Sequence, residues 1–443
     1  MAWTVFAFGG IHPATLVVPA IACVVLAALR RPAVLANSPN RALDASLLLL
    51  LLASLVQLVP LPRSWLPLLS PAALAVERAF SLLARSGARP LTINVEDSAA
   101  AVLLLSGLLL LFFTARATFT RGGVRAVVKF IAVTGLVLAA VALAQNATGK
   151  GLMYWRFAPG REGPAPFGPF VNRNHFATWA MMAVPLCAGY LAAHAAAHPH
   201  QGRAGWRHRL LAVLDARAWM LVAAAMLLIV ATAASLSRSG LAGLATAMIC
   251  AMMLVRRGAT PRGGPPRRAA AYLGVLTAAG TLGGLIAVGP GAILGRFGAS
   301  GVALADRLAI WHDTLPVLKD FWLSGTGVGT FQTSMAIYQR SKPEVIFNQA
   351  HNHYLQVAAE GGLLVGLPVC LALSAFARLA WRSVRADRSP MYFIRAGAAS
   401  GLAGVAVQSF WETGLTIPAN AILAAVLAAA LVHVPERGTQ AGP

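Results

Sequence analysis

The stretch GPGAILGRFGASGVALADRLAIWHDTLPVLKDFWLSGTGVGTFQTSMAIYQRSKPEVIFNQAHN, residues 289–352, divides two long apolar parts of the chain. It mixes charged, aromatic and glycine residues, whereas most of the sequence on either side is apolar. The apolar runs are about 17–25 residues long, which is enough to cross a lipid bilayer. A long polar segment among short loops is where a membrane protein commonly carries its functional residues.

The composition predicts a polytopic α-helical membrane protein. Of the 443 residues, 58% are hydrophobic and 11% are charged, whereas a soluble domain carries roughly 25% charged residues. Period-two alternation is absent, and a helix satisfies its own backbone hydrogen bonds in lipid. We therefore expect an all-α fold of about 11–12 transmembrane helices with one large loop.

Eleven apolar segments are predicted to span the membrane, at residues 4–29, 43–59, 99–114, 124–144, 175–197, 218–234, 241–255, 269–288, 353–377, 392–411 and 416–434. Prolines in the first segment and the interval 60–98 leave room for one more, and residues 71–88 are predicted to form a short interfacial helix. Three regions follow from this division. Residues 1–288 hold helices 1–8 with short loops, residues 289–352 form the large loop with the active site, and residues 353–443 hold helices 9–11 and a short cytoplasmic tail.

The distribution of basic residues predicts the orientation in the membrane. The formal net charge is +22. Lysine and arginine concentrate in the loops near residues 30–42, 115–129, 198–217, 256–268 and 378–395. The positive-inside rule makes these loops cytoplasmic and places the N-terminus and the large loop on the outer side. Because the basic residues flank apolar runs and form no continuous surface interleaved with aromatics, no nucleic-acid partner is expected.

Three short patterns on the outer side contain candidate catalytic side chains. In SLSRSG, residues 235–240, Arg238 has no acidic residue within ten positions, and a guanidinium matches phosphate oxygens. In ADRLAIWHDTLPVLKDFWLSGTGVG, residues 305–329, Arg307 lies near the start of a predicted helix with Leu308, Trp311 and Leu315 on one face. In QAHNHYLQVAAEGG, residues 349–362, the imidazole of His351 suits general-base catalysis near neutral pH.

Each pattern also has a purely structural interpretation. Arg238 can extend to lipid headgroups, Arg307 can sit on an interfacial helix beside Asp306, and His351 can cap the helix that follows it. Pro316 and the glycines of residues 325–329 are expected to end the helix that begins at Asp306. No Lys-Ser/Thr pair follows these glycines, so they do not form a P-loop.

Further candidates for substrate binding surround these patterns. They are Arg296 in the same loop, Arg173 in PFGPFVNRNHFA (residues 166–177), His353 and Glu360. Glu360 has two interpretations, a functional carboxylate or a structural partner for an arginine. Near Arg173, His175 begins a predicted span, and Glu412 in FWETG is another acid at the outer end of a span.

The sequence predicts neither a metal site nor a cofactor. It has no HExxH or DxD pattern, and His351 and His353 lack the i,i+4 spacing of a helical zinc pair. The four cysteines, Cys23, Cys187, Cys250 and Cys370, each lie in an apolar run without metal or disulfide spacing. Arginines without matching carboxylates instead suggest a ligand that carries a diphosphate, whose departure they would stabilise in place of Mg²⁺.

SLSRSG, DRLAIWHDTLPVLKDFWLSGTGVGTF and QAHNHYLQVAAEGGLLVGL together resemble the O-antigen ligase and Wzy-type polymerase superfamily, over roughly residues 167–366. The resemblance implies an inverting, metal-independent glycosyltransferase of the bacterial inner membrane, GT-C-like in fold, with its active site facing the periplasm. The donor would be a glycan on undecaprenyl diphosphate. The resemblance assigns diphosphate binding and leaving-group stabilisation to Arg238 and Arg307, and deprotonation of the acceptor to His351. Arg296 is the second choice for the loop arginine.

Three functions therefore remain under consideration. An O-antigen ligase of lipopolysaccharide biosynthesis would join the glycan to lipid A–core, whereas a Wzy-type polymerase would join it to another lipid-linked repeat of O-antigen or exopolysaccharide. The third is a transporter of lipid-linked sugars, which is less favoured because the charges cluster at the outer ends of helices and the sequence shows no internal repeat. Members of the superfamily often have twelve spans with both termini inside, which differs from the eleven segments here.

Overall fold

The computed structural model describes residues 1–35, 38–80, 87–158, 165–197, 215–258, 267–289, 291, 295 and 300–435. In chain order the α-helices of these residues are α1 (Ala2–Phe6), α2 (Val17–Arg30), α3 (Arg41–Val56), α4 (Leu66–Leu69), α5 (Pro71–Phe80), α6 (Val95–Thr120), α7 (Val124–Thr148), α8 (Arg173–Ala197), α9 (Ala216–Ala234), α10 (Arg238–Arg257), α11 (Arg267–Val288), α12 (Ser300–Asp320), α13 (Phe331–Tyr338), α14 (His353–Ala386), α15 (Met391–Gln408) and α16 (Pro418–Val432). The described ranges contain isolated β-bridges but no strand, so the predicted all-α class is confirmed.

The polytopic membrane character is confirmed by the lengths of these helices. Eight helical segments of the described chain are long and apolar enough to cross a membrane, namely Pro13–Arg30, Val95–Thr120, Val124–Thr148, Arg173–Ala197, Ala216–Ala234, Arg238–Arg257, Ala269–Val288 and His353–Ala386. Each of the eleven predicted segments contains helix, but three fall short of a full span by this measure. Helices α3 and α16 have 16 and 15 residues, and α15 carries the polar side chains of Arg395 and Gln408 within its 18 residues.

The predicted first span is not one continuous helix. It is divided into α1, two 3₁₀ turns at Phe8–Gly10 and Pro13–Leu16, and α2. Gly9 interrupts the helical path with φ of +74°, a conformation that glycine adopts without a steric penalty. Only the part from Pro13 onward is long enough to span a bilayer.

Helix α8 lies at the centre of the bundle, where its apolar stretch is completely buried. It packs against α7, α9, α10, α11 and α15. The approach of α8 to α15 depends on glycine, because a Cβ added at Gly189 would lie 2.3 Å from the carbonyl oxygen of Phe393. A Cβ added at Gly397 would lie equally close, 2.3 Å, to the carbonyl oxygen of Pro185. Small residues of this kind let membrane helices pack with their backbones close together.

Residues 300–352 form a packed unit on one end of the bundle. Helices α12 and α13 enclose a small apolar core with the start of α14; its largest members are Ile310, Val317, Phe321, Phe331 and Met335. The buried carboxylate of Asp313 ties the following turn to α12, since it accepts hydrogen bonds from the backbone amides of Arg340 and Ser341 at 3.0 and 2.9 Å. Burial acts to raise the pKa of Asp313, but the hydrogen bonds from Ser341 and Arg340 outweigh it and hold the pKa below its ordinary value.

Helix α12 differs from its prediction in three respects. It already includes Ser300 and continues through Pro316 to Asp320, because its packing against the small core compensates for the one backbone hydrogen bond that a proline removes. The face that carries Leu308 and Leu315 is exposed, and the buried face carries Ile310 and Val317. Asp306 pairs with Lys342 across the unit. In the interval predicted as an interfacial helix, α5 covers Pro71–Phe80, and residues 81–86 lie outside the described chain.

Candidate active site

His351 lies two residues before the start of α14 and is paired with a carboxylate from a distant part of the chain. Its Nδ1 lies 3.2 Å from Oε1 of Glu412. The Glu412 side chain is fully buried, whereas that of His351 is 27% exposed. The backbone of His351 has φ of +47°, a left-handed conformation in which histidine is enriched. The capping interpretation of His351 is wrong, because Asn352 caps α14 by accepting a hydrogen bond from the Leu355 amide at 3.0 Å.

A chain of hydrogen bonds joins this pair to two other segments. Oε2 of Glu412 accepts a hydrogen bond from Nδ2 of Asn174, at the start of α8. Oδ1 of Asn174 in turn accepts one from the hydroxyl of Ser237 at 2.7 Å, in the turn before α10. The NRNH, SLSRSG, AHNH and FWETG segments therefore meet at one place, where the N-terminal ends of α8, α10 and α14 come together. The positive ends of three helix dipoles favour an anion there.

Glu412 is ionised at this meeting point. Burial would raise the pKa of its carboxyl group, but the hydrogen bond and charge of His351, with the charges of His175 and Arg307, together lower the pKa to about 2. An ionised carboxylate only accepts hydrogen bonds. The proton shared with His351 therefore lies on Nδ1, and in the neutral imidazole Nε2 is the nitrogen with a free lone pair. No residue of the described chain hydrogen-bonds this Nε2.

The SLSRSG turn is shaped by its serines and its glycine. Ser237 is the N-cap of α10 and accepts a hydrogen bond from the Gly240 amide at 3.2 Å. Leu236 adopts φ of +51° between the two serines that flank it. A Cβ added at Gly240 would lie 2.3 Å from the Cβ of Ala177 in α8, so only glycine permits this approach of α10. The turn sets Arg238 at the first position of α10, half-buried and next to the Ser237–Asn174 contact.

Arg307 of α12 lies close enough to this pair for its charge to act on Glu412. Its charge contributes to lowering the pKa of Glu412, and its Nε is buried without a hydrogen-bond partner in the part of the chain that the structure describes. Arg173 occupies the first position of α8, one residue before Asn174. Arg296 lies outside the described residues.

Two further histidines lie nearby, His175, which is buried, and His353, which is half-buried. His353 begins α14, and its backbone amide donates to the carbonyl of Ser409 at 2.8 Å. Its Nδ1 is buried and lacks a hydrogen-bond partner among the described residues, as does Nε2 of His175. His175 lies close enough to Glu412 for its charge to affect the pKa of that carboxyl. Of the three histidines, only His351 contacts Glu412 by a hydrogen bond.

Glu360 has a different set of contacts from the one around His351. Its Oε2 accepts from the Gly329 amide at 2.8 Å, and its Oε1 accepts from the Phe331 amide at 3.2 Å and from Gln356 at 3.1 Å. These bonds attach the glycine segment 325–329 to α14 where that helix is interrupted at Gly362, with φ of +55°. Glu360 is thus held by backbone amides and a glutamine, and its prediction as a substrate-binding residue stays a prediction.

We expect Glu360→Ala to lower the stability of the protein markedly. The substitution removes the acceptors of two backbone amides in a buried environment, and such a loss is worth on the order of 3 kcal/mol. The midpoint of thermal unfolding of the purified protein in detergent measures it. Glu96→Ala is the matched control, because Glu96 is exposed in the first turn of α6. Equal midpoints for the two variants would contradict the anchoring role of Glu360.

Sequence reasoning missed the contributions of Glu412, Asn174 and Ser237. The sequence marks Glu412 only as an acid at the end of a predicted span, and it gives no signal for Asn174 or Ser237. The available signal was that acidic residues are rare at the ends of apolar segments. An acid that becomes buried there must be paired, which would have pointed to a partner for Glu412. Among the described residues, no group of three or more His, Cys, Asp or Glu side chains is arranged to hold a metal ion.

Comparison with known protein families places this site in context. Residues 223–370 match the family model described as O-antigen ligase (Wzy_C). The matched range contains Arg238, Arg307 and His351, whereas Asn174 and Glu412 lie outside it. No curated protein matches the chain. The family is one of ligases and polymerases that resemble glycosyltransferases, and residues 223–370 of the chain carry the domain of this O-antigen ligase and Wzy-type family.

Proposed function

We propose that this protein is an inverting, metal-independent glycosyltransferase that moves a glycan from undecaprenyl diphosphate to a sugar hydroxyl. The proposed acceptor is lipid A–core, so that the protein acts as an O-antigen ligase. One observation carries the proposal, namely the pair of His351 and the buried carboxylate of Glu412, 3.2 Å apart. This pair supplies a base beside a group of arginines and helix N-termini suited to a diphosphate.

The proposed base is Nε2 of His351. An acceptor hydroxyl placed against Nε2 gives its proton to this nitrogen while its oxygen attacks the anomeric carbon of the donor glycan. The resulting imidazolium is stabilised by Glu412, which already accepts the hydrogen bond of Nδ1–H and stays ionised at neutral pH because the pKa of its carboxyl is about 2. Asn174 and Ser237 keep the carboxylate turned toward His351.

The leaving group in this reaction is undecaprenyl diphosphate. The bond between the anomeric carbon and the diphosphate oxygen breaks as the new glycosidic bond forms on the opposite face, so the anomeric configuration inverts. Negative charge develops on the departing oxygen, and Arg307 and Arg238 are the proposed groups that stabilise it. Arg307 suits this role because its buried Nε lacks a partner in the described chain and is therefore available to a ligand.

The orientation in the membrane is part of the proposal. The basic loops near residues 121–125 and 378–395 lie at the ends of α6, α14 and α15 opposite to His351. By the positive-inside rule those ends are cytoplasmic, so the site would face the periplasm of a bacterial inner membrane. Lipid-linked donor and membrane-anchored acceptor would then both reach it from the outer leaflet.

A transfer assay with two separate acceptors tests this function. The purified protein is given a glycan on undecaprenyl diphosphate with either lipid A–core or a second lipid-linked repeat, in the presence of EDTA. Product on lipid A–core supports the ligase, and a ladder on the lipid carrier would identify a polymerase. Activity that requires a divalent cation would overturn the metal-independent mechanism. Movement of the lipid across liposomes with the donor intact would identify a transporter.

We expect Arg307→Lys to lower kcat/KM for transfer by about 10–100-fold, since an ammonium cannot reproduce the two-pronged contact of a guanidinium with phosphate oxygens. Initial rates at varied donor concentration measure the loss. Arg340→Lys is the matched control, because Arg340 is exposed in the same unit and only its backbone amide bonds Asp313. Wild-type rates for Arg307→Lys would show that transfer requires only a positive charge at this position.

A further inference from the structure

A cavity lies at the end of the bundle opposite to His351. Its volume is about 860 Å³. The ends of α6, α14 and α16 and the starts of α7 and α15 form its walls. Because α14 and α15 run from one end of the bundle to the other, this cavity is separated from the His351–Glu412 pair by the length of both helices. It takes no part in the proposed transfer, and the inference drawn from it does not rest on that function.

The charge of the cavity is strongly positive. Four arginines line it, Arg125, Arg382, Arg388 and Arg395, against the single carboxylate of Asp387. Asp387 is already engaged, since its Oδ1 accepts from the amide and hydroxyl of Ser389 at 2.8 and 2.7 Å. Its Oδ2 lies 3.3 Å from Nε of Arg395. Among the described residues the other three arginines form no ion pair, so three positive charges remain uncompensated.

Arg395 forms the inner end of the cavity and is held rigidly. It is 93% buried, being only 7% exposed, and its Nη2 donates to the carbonyl of His433 at 2.9 Å. Its Nε has no hydrogen bond of proper geometry within the described chain, even toward Asp387. Arg125, Arg382 and Arg388 are exposed and surround the mouth. The cavity thus has one fixed arginine inside and three movable ones outside, an arrangement that surrounds an anion.

Shape and position favour a lipid headgroup as the anion. Phe119, Val124 and Met391 give the cavity apolar surface beside the arginines. A free phosphate ion would not need this apolar surface. The volume also exceeds that of a single phosphate and is in the range of small-ligand pockets. The mouth opens at helix ends, where the positive-inside rule predicts the cytoplasmic membrane surface with its anionic lipids. A guanidinium matches the oxygens of a phosphodiester in pairs.

We propose that this cavity binds the phosphodiester headgroup of an anionic phospholipid. The headgroup phosphate contacts Arg395 and the arginines of the mouth, and the glycerol lies against the apolar wall. The acyl chains leave along the lipid-facing surface of the bundle, where Trp381 of α14 is 54% exposed. The occupant is a single lipid in a defined site, in contrast to the diffuse attraction of basic loops to a charged surface.

Binding of fluorescent phosphatidylglycerol to the purified full-length protein in nonionic mixed micelles tests the site. The variant is Arg382→Gln with Arg388→Gln, which removes two arginines from the mouth. The matched control is Arg378→Gln with Arg385→Gln, which removes the same charge at exposed positions of α14 outside the cavity. We expect at least about tenfold weaker binding for the cavity variant, since each basic residue near the surface contributes severalfold, and less than about threefold for the control.

Three results would overturn the proposal. The first is an equal loss in both double variants, which would show a diffuse charge effect. The second is unchanged binding in the cavity variant. The third is competition by inorganic phosphate at the same concentrations as unlabelled phosphatidylglycerol, which would replace the lipid by a soluble anion as the occupant. Unlabelled phosphatidylcholine, which is zwitterionic, should not compete. Thermal unfolding of both double variants establishes that they are folded, because all four substituted side chains are exposed.

Discussion

Replacement of His351 by alanine should lower the rate of glycan transfer by about 10²–10⁴-fold, the range that a well-placed general base contributes. The substitution removes the only imidazole of the described residues that shares a hydrogen bond with Glu412. Without it the acceptor hydroxyl would have to lose its proton to water at the moment of attack. Single-turnover transfer with saturating donor and acceptor measures the loss directly, because product release does not contribute to that rate.

Two further histidine variants make this experiment decisive. His312→Ala is the control for an ordinary loss of imidazole, because the His312 side chain is 85% exposed on α12 and should leave the rate unchanged. His353→Ala addresses the other candidate base. Normal transfer by His351→Ala, with loss of transfer in His353→Ala, would move the role to His353. The structure argues for loss of transfer in His351→Ala, since His353 has no carboxylate partner among the described residues.

The class of the fold and the segments that build the site were accessible from the sequence. Hydropathy alone predicts a polytopic helical protein, because lipid leaves few other ways to satisfy the backbone. Arg238, Arg307 and His351 stand out as charged or titratable groups at the predicted outer side of the apolar segments. Physical chemistry of single residues is sufficient for such predictions, since each depends on a side chain and its immediate neighbours.

The remaining features depend on contacts between distant residues. Glu412 is 61 positions from His351 and 238 positions from Asn174, and no local pattern predicts that these side chains meet. The path of α12 through Pro316 has a similar cause, because tertiary packing overrides the preference of proline to end a helix. Hydropathy predicts spans at residues 43–59 and 416–434, but it does not show where a helix begins and ends, and α3 and α16 have only 16 and 15 residues.

Glu412→Gln should lower kcat by about 10²–10³-fold with little change in KM for the donor, since the glutamine keeps the volume of the side chain but not its two acceptors. In the native protein one carboxylate oxygen accepts from His351 and the other from Asn174. A glutamine offers one acceptor and one donor, and Asn174 is held with its NH₂ toward residue 412 because its oxygen accepts from Ser237. The amide oxygen therefore turns to Asn174, and the NH₂ of the glutamine faces Nδ1.

This arrangement gives His351 the wrong tautomer. An NH₂ group facing Nδ1 requires a lone pair there, so the neutral imidazole carries its proton on Nε2 and cannot accept one from the acceptor hydroxyl. On the proposed mechanism Glu412 is a positioning residue, whereas a merely structural defect would either lower the midpoint of thermal unfolding or distort the donor site and change the apparent KM. The separation of kcat from KM, with an unchanged midpoint of thermal unfolding, distinguishes the two roles.

The double variant Glu412→Gln with Asn174→Asp should recover at least about tenfold of the lost kcat, as expected for residues coupled within one hydrogen-bond network. The aspartate accepts from the NH₂ of the glutamine and from the hydroxyl of Ser237. The glutamine oxygen is then free to accept from Nδ1–H, which restores the tautomer with an unprotonated Nε2. Asn174→Asp alone is the control and should be impaired, because it sets two carboxylates against each other. A double variant no faster than Glu412→Gln would refute the positioning of His351 through Glu412 and Asn174.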